Sequence, residues 1–155
     1  MEIEIREPRD EHELEAYFQL RYEQLRKPQG LAPGSERRGE IEAGSTHLIA
    51  IADGRIIGAT AMIVGMRRDS ESGQRHIFVH WRNIAIAREV QRSGIGSAMY
   101  AEVERRARGL GAKEIIANAR DDKLAFFESL GFRTTGPGET VVGIPHTAIV
   151  KELSW

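Results

Sequence analysis

Residues 76–100 read HIFVHWRNIAIAREVQRSGIGSAMY. Their first half, up to Ala87, is rich in β-branched and aromatic residues and reads as one long strand. From Gly94 to Leu110 the apolar residues Ile95, Met99, Val103, Ala107 and Leu110 recur every three to four positions, which predicts a helix with a single buried stripe and Gly111 as its C′ stop. Between the two lies Gln91-Arg92-Ser93-Gly94-Ile95-Gly96. A strand that passes straight through such a turn into a helix leaves backbone N–H groups without partners at the positive end of the helix dipole, where anions bind. A Cβ at Gly94 or Gly96 would hinder close approach of a diphosphate, and Arg92 can add a charge-assisted contact. The same short Gly-x-Gly is, taken alone, equally a tight strand-to-helix turn. Position 99 is Met, which breaks the dinucleotide fingerprint, and no Gly-Lys-Ser/Thr is present for a Walker loop.

Working outward, residues 2–6 alternate as a strand, and Pro8 and Asp10 punctuate the chain before the helical stretch EHELEAYFQLRYEQLR, 11–26. The composition of 27–44 is that of a loop. Strands at 46–52 and 55–66 join through Asp53-Gly54, a hairpin signal, and a polar turn covers 67–74. After the central helix come a strand at 113–119 (KEIIANA) and a helix from about Asp122 to Leu130, with Asp121 or Asp122 as N-cap and Gly131 as its stop. Phe132 opens the next strand. Turn-like Gly136-Pro137-Gly138 and Gly143-Ile144-Pro145 precede a last strand, HTAIVKEL, 146–153. This order predicts an α+β fold: a mixed, mostly antiparallel sheet of about seven strands with helices on both faces, in one domain over 1–155.

Composition narrows the function. At 155 residues and 41% hydrophobic content, the chain is long enough for a core of its own. Twenty-two basic and 23 acidic residues nearly cancel, so no global cationic field exists to draw nucleic acid or an anionic membrane, and neither is expected as a partner. Arg105, Arg106 and Arg108 sit among acidic neighbours and read as a solvated helix face. With no cysteine, disulfides, thiolate metal sites and a cysteine nucleophile are excluded together. No apolar run approaches the ~18 residues that cross a bilayer, and the start is too acidic for a secretory signal, so a cytoplasmic location is expected. His76 and His80 are four apart on a strand, which puts their Cα atoms ~13 Å from each other, too far to chelate one ion. No metal is expected.

Ile84-Ala85-Ile86 followed by Gln91–Gly96 resembles motif A of the GNAT N-acetyltransferases, whose pattern after a strand is Q/R-x-x-G-x-G/A. Residues 125–132, AFFESLGF, resemble that family's second motif, a helix ending in Leu-Gly-Phe. The order of elements agrees over nearly the whole chain. The resemblance implies acetyl-CoA as co-substrate and direct attack by an amine within a ternary complex. It further implies that backbone groups around Ile84 and Ile86 pair with the pantetheine arm and that a strand-four N–H near Ile86 polarises the thioester. Backbone amides of Gln91, Arg92, Ser93, Gly94, Ile95, Gly96 and Ser97 would hold the pyrophosphate. Strands four and five would part, with Asn118 and Phe126 near the cofactor, although an aromatic on an amphipathic helix is also ordinary core.

The chain departs from the family at one position. Where the second motif often carries a tyrosine that protonates the leaving thiolate, this sequence has Phe127. Tyr100 and Tyr22 are the tyrosines to test in its place, and a CoA thiolate can also leave with water alone. Candidate bases are His80 and His146, since imidazole titrates near neutral pH, and each can equally be a hydrogen-bonded structural residue. Endings similar to Ile144-Pro145-His146 occur in some subgroups of the family. The acceptor is expected to be a small-molecule or peptide amine. Glu36, Glu40 and Glu42 in the long loop favour a cationic one, against which Arg37 and Arg38 stand. Sheet edges permit a homodimer as well as a monomer. The competing readings are transfer of a longer acyl group and a non-catalytic acyl-CoA-binding regulatory module.

Overall fold

A computed structural model describes residues 2–34, 44–141 and 143–154. Seven strands form one mixed sheet: β1 (Glu4–Arg6), β2 (Thr46–Ala52), β3 (Arg55–Arg68), β4 (Arg75–Ile86), β5 (Glu114–Ala119), β6 (Arg133–Val141) and β7 (Ile144–Glu152), in the order β1-β2-β3-β4-β5-β7-β6. The helices are α1 (Glu11–Arg21), α2 (Ile95–Gly109) and α3 (Leu124–Ser129). The β4–β5 pair is parallel; the β1–β2, β2–β3, β5–β7 and β6–β7 pairs are antiparallel. The mixed sheet expected from the element order is thus present. The chain forms two compact units, one of Met1–Ile63 with Asn83–Val103 and one of Val64–Arg82 with Glu104–Trp155.

In the first unit, Asp53 and Gly54 adopt the left-handed backbone (φ 51 and 72) that a two-residue hairpin requires, and β2 and β3 pair from Ala52↔Arg55 outward. Tyr17 and Phe18 of α1, Ile49 and Ala50 of β2, Ile57 and Ala59 of β3, Ala85 of β4, and Ile95 and Met99 of α2 form its core. A Cβ at Gly58 would lie 3.0 Å from each of Ala50 Cβ, Ile95 Cγ2 and Met99 Sδ. The start of α2 therefore sits close against β3 at Gly58, where an added Cβ would press on all three of these side chains. Asp10 caps α1 by accepting from the Glu13 N–H at 2.8 Å. The buried Tyr17 hydroxyl then anchors the helix: it accepts from Arg21 Nη1 (2.9 Å), donates to the Thr60 carbonyl (3.1 Å), and lies 2.8 Å from His47 Nδ1.

In the second unit, Trp81, Phe127 and Phe132 pack with ring centroids 5.5–6.3 Å apart, on the same sheet face as buried Val79, Ile115 and Ile149. Lys151 donates to the Leu130 carbonyl at 2.8 Å, just past the end of α3, and to Glu104 at 3.0 Å. That contact satisfies an orphan carbonyl at the helix end.

Several local expectations are corrected. The helical stretch 11–26 is α only to Arg21 and continues as a π-turn, Tyr22–Arg26. Leu110 lies past the end of α2 and is 46% exposed, so the buried stripe ends at Ala107. Neither Asp121 nor Asp122 caps α3; a 3₁₀ turn, Asp121–Lys123, precedes it, and Asp121 instead accepts from the Thr147 hydroxyl at 3.2 Å. Gly136-Pro137-Gly138 is no turn but part of β6, where the register with β7 shifts twice. Bulges accommodate a proline and two glycines that a regular ladder does not. Ile144 and Pro145 belong to β7, which starts two residues before His146. Glu36, Arg37, Arg38, Glu40 and Glu42 lie outside the described residues. No described helix is long and apolar enough to cross a membrane.

Candidate active site

The long strand β4 ends in alternation: Ala85 and Ala87 are buried in the core while Ile84 and Ile86 are half-buried. Immediately before them Asn83 takes a left-handed backbone, φ 55, in the middle of the strand. Such a residue interrupts the pleat and re-aims the groups that follow. The Ala87 N–H donates to the Ile57 carbonyl of β3 at 2.9 Å. Successive residues of a strand direct their polar groups to opposite edges, so the N–H and C=O of Ile86 face away from β3.

The turn that follows is compact. A 3₁₀ turn spans Arg88–Val90, and the Ser93 hydroxyl donates to the Val90 carbonyl. Arg92 and Gly94 are both left-handed, φ 67 and 87, with Ser93 between them. Gln91, Arg92, Ser93 and Gly94 are exposed, and a Cβ at Gly94 would meet no protein atom within 4 Å. The Ala98 N–H donates to the Gly94 carbonyl at 3.0 Å. Ahead of that bond the amides of Ile95, Gly96 and Ser97 occupy the first turn of α2, where N–H groups lack intrahelical acceptors. Alternating backbone conformation followed by a helix N-terminus makes an anion-binding concavity. The sequence-predicted residues Ile84, Ile86 and Gln91–Ser97 thus form one continuous segment of the first unit.

His80, Asn118, Phe126 and His146 belong to the second unit. The parallel pairing of β4 and β5 runs through Phe78↔Glu114, Val79↔Ile115 and His80↔Ile116. Beyond that pair β4 runs on to Ile86, while β5 runs on to Ala119 paired with β7. Asn118 stands opposite Ala148, and Ile116 opposite Val150. Since paired residues and residues two apart share a face, His80, Asn118 and His146 all lie on one face of β4-β5-β7. Val79, Trp81, Ile115 and Ala117 lie on the other, where Phe127 of α3 packs on Trp81. By strand spacing and rise, the Cα atoms of His80 and His146 are roughly 16 Å apart, so the two do not bear on one proton.

His146 is half-buried, and its Nδ1 lies 2.8 Å from the Ile144 carbonyl. That nitrogen must donate, so in the neutral ring the lone pair is on Nε2. The Asn118 side-chain oxygen accepts from the Glu139 N–H in the β6 bulge at 3.3 Å. Phe126 is half-buried with its ring 5.2 Å from that of Phe127. Phe127 itself is core. The Tyr22 hydroxyl donates to the Leu31 carbonyl at 3.0 Å, and Tyr100 is buried. His76 pairs with Glu114, 2.9 Å away.

Two site features escaped the sequence. Asn83 had a usable signal, because asparagine tolerates the left-handed region better than other non-glycine residues and here interrupts an apolar run. Gln24, on the π-turn, had none: its Oε1 accepts from Gln91 Nε2 at 3.2 Å across 67 residues of chain.

Comparison with known proteins places this geometry in a family. A model of the acetyltransferase (GNAT) domain matches residues 19–153. An uncharacterized N-acetyltransferase of Bacillus subtilis (strain 168), YjcF, is 25% identical over 145 residues, covering 93% of this chain and 96% of that protein. The fold is shared with an acyl-CoA N-acyltransferase from Pseudomonas aeruginosa (TM-score 0.73, 20% identity, 97% of this chain and 98% of the other). It is shared too with an aminoglycoside 6'-N-acetyltransferase crystallised with coenzyme A (TM-score 0.73, 13% identity, 98% and 97% covered). With the family model spanning all but the first 18 and last two residues, the chain belongs to the GNAT acetyltransferase family and is an acyltransferase.

Proposed function

We propose that this enzyme transfers the acetyl group of acetyl-CoA to a primary amine by direct attack within a ternary complex. The observation that carries the reading is the turn between β4 and α2, where left-handed Arg92 and Gly94 precede the first turn of a fifteen-residue helix, whose N–H groups have no intrahelical acceptors. A pyrophosphate is the group that several converging N–H donors and a helix dipole hold best. From there the pantetheine arm runs along the end of β4, pairing with the outward N–H and C=O of Ile86 as an added strand would. A backbone N–H near Ile84 or Ile86 donates to the thioester oxygen as negative charge develops on it.

The amine must be neutral to attack. His146 is the better base of the two histidines, because its Nδ1–H is held by the Ile144 carbonyl and its basic Nε2 is thereby directed away from its own backbone. The amine nitrogen forms a bond to the carbonyl carbon, the C–S bond breaks, the surplus amine proton passes to Nε2, and the thiolate takes a proton from solvent. Phe127 has no proton to give, Tyr22 donates its own to the Leu31 carbonyl, and Tyr100 is buried, so no tyrosine is assigned as acid. The acceptor is a small-molecule or peptide amine.

Calorimetry with acetyl-CoA, followed by release of free thiol in the presence of a panel of amines, tests the reading. Binding with turnover supports it. Binding without turnover on any amine leaves the non-catalytic acyl-CoA-binding reading, and no binding overturns the cofactor assignment.

A further inference from the structure

We infer that Gln24 is a positioning residue for the acetyl-CoA site, acting through Gln91 on the carbonyl of Ile86; this rests on the cofactor reading proposed above. The Gln91 carboxamide nitrogen makes two bonds, to the Ile86 carbonyl at 3.1 Å and to Gln24 Oε1 at 3.2 Å. A carboxamide nitrogen carries two protons, and two acceptors fix its rotation fully. With Ile86 alone it would be free to pivot about that single bond. Gln24 therefore determines where the Gln91 side chain stands, and Gln91 links the first residue of the anion-binding turn to the strand end that leads into it.

The chain gives Gln24 a firm base from which to do this. Upstream, α1 is locked to the sheet by the Tyr17 hydroxyl's contacts with Thr60 and His47. Downstream, the Tyr22 hydroxyl ties the segment to the Leu31 carbonyl, and Gly30 closes the following 3₁₀ turn with a left-handed backbone. Between them the helix widens into the π-turn Tyr22–Arg26 at the residues that reach the cofactor turn. π-turns are unfavourable insertions and occur frequently at functional sites. The consequence is that α1 and the π-turn after it are joined mechanically to the β4–α2 turn, so the position of one bears on cofactor affinity at the other.

The test is the dissociation constant of acetyl-CoA by calorimetry, which needs no acceptor, for wild type, Gln24→Met, Gln24→Glu, Gln91→Met and the double Met variant. Gln24→Met keeps the length and removes the acceptor; the expected weakening is about threefold to tenfold, the range of one neutral hydrogen bond. Gln24→Glu keeps an acceptor oxygen and restores wild-type affinity, which a merely structural role would not do. Because Gln24 acts through Gln91, the double variant binds no more weakly than Gln91→Met alone. Unchanged affinity in Gln24→Met, or additive losses in the double variant, overturns the inference while leaving the cofactor reading intact. Wild type that does not bind acetyl-CoA overturns both.

Discussion

Replacing Gly94 by alanine separates the cost of the turn's conformation from its use. Gly94 sits at φ 87, and a Cβ there would meet no protein atom within 4 Å. The folded protein therefore suffers only the left-handed backbone penalty of an L-residue, roughly 1–2 kcal/mol. For a chain of this size that lowers Tm by about 2–8 °C. Binding should suffer more. The methyl group projects into space that the protein leaves open and that the proposed pyrophosphate uses, so it displaces a phosphate oxygen from its N–H partner. One charge-assisted hydrogen bond is worth about 1.5–3 kcal/mol, which is about 10- to 150-fold in affinity. Calorimetric titration with acetyl-CoA, alongside a thermal scan without ligand, measures both effects. A further variant, Gly94→Glu, adds like-charge repulsion and should bind still more weakly, with partial recovery at high salt. If Gly94→Ala loses the expected stability but binds acetyl-CoA as wild type does, the pyrophosphate does not rest on this turn.

Three other outcomes are expected. Arg6 holds Glu13 through two bonds of 2.8 and 2.7 Å, and the Arg9 N–H adds a third, which lowers the Glu13 pKa from 4.5 to about 2. A depressed folded-state value stabilises above the unfolded one, so the Tm advantage of wild type over Glu13→Gln should be full above pH 4.5 and vanish as pH falls towards 2; an advantage that persists at pH 2 contradicts the pairing. Phe127→Ala removes a 5% exposed ring that contacts Trp81, Phe126 and Phe132, and should cost about 3–5 kcal/mol in denaturant unfolding, whereas a loss under 1 kcal/mol would mean that the position is not core. His146→Gln should lower kcat about 10²- to 10⁴-fold on whichever amine is turned over while leaving acetyl-CoA affinity unchanged; an unaltered kcat removes His146 as base.

What could be read from the sequence was what depends on neighbours along the chain. The 76–100 stretch announces strand, turn and helix because apolar period, glycine placement and helix stop are all local, and Asp53-Gly54 announces its hairpin for the same reason. Leu110 misled because the helical period continues one step past the point where the helix ends, at Gly109. Asp121 and Asp122 misled because an aspartate before a helix is a cap only when the backbone lets its oxygen turn back, and here a 3₁₀ turn intervenes and Thr147 takes Asp121. The glycine-proline-glycine of β6 looks like a turn to any local rule; only its pairing with β7 shows it to be a doubly bulged strand. Contacts such as Gln24 with Gln91 arise from the packing of α1 and leave no trace in spacing.

Arg92 shows where local rules fail for a functional reason. Nothing in its side chain favours φ 67, and the conformation costs roughly 1–2 kcal/mol. A glycine would remove that cost, yet it would also remove the cation and let the turn adopt other shapes. An arginine held left-handed two residues before Gly94 keeps the alternating backbone of an anion-binding concavity and adds a cation to the same turn, and both features favour an anion. The strain at Arg92 and that at Asn83 lie at opposite ends of the short run Ile84–Gln91 that the cofactor reading uses. Non-glycine residues in this region persist where the surrounding structure over-determines them, and here the determinants are identifiable: Ala85 and Ala87 in the core, the Ala87 bond to Ile57, Ser93 on Val90, and Gln91 on Ile86. The two strained residues therefore mark the same segment that the glycines and the helix N-terminus mark independently.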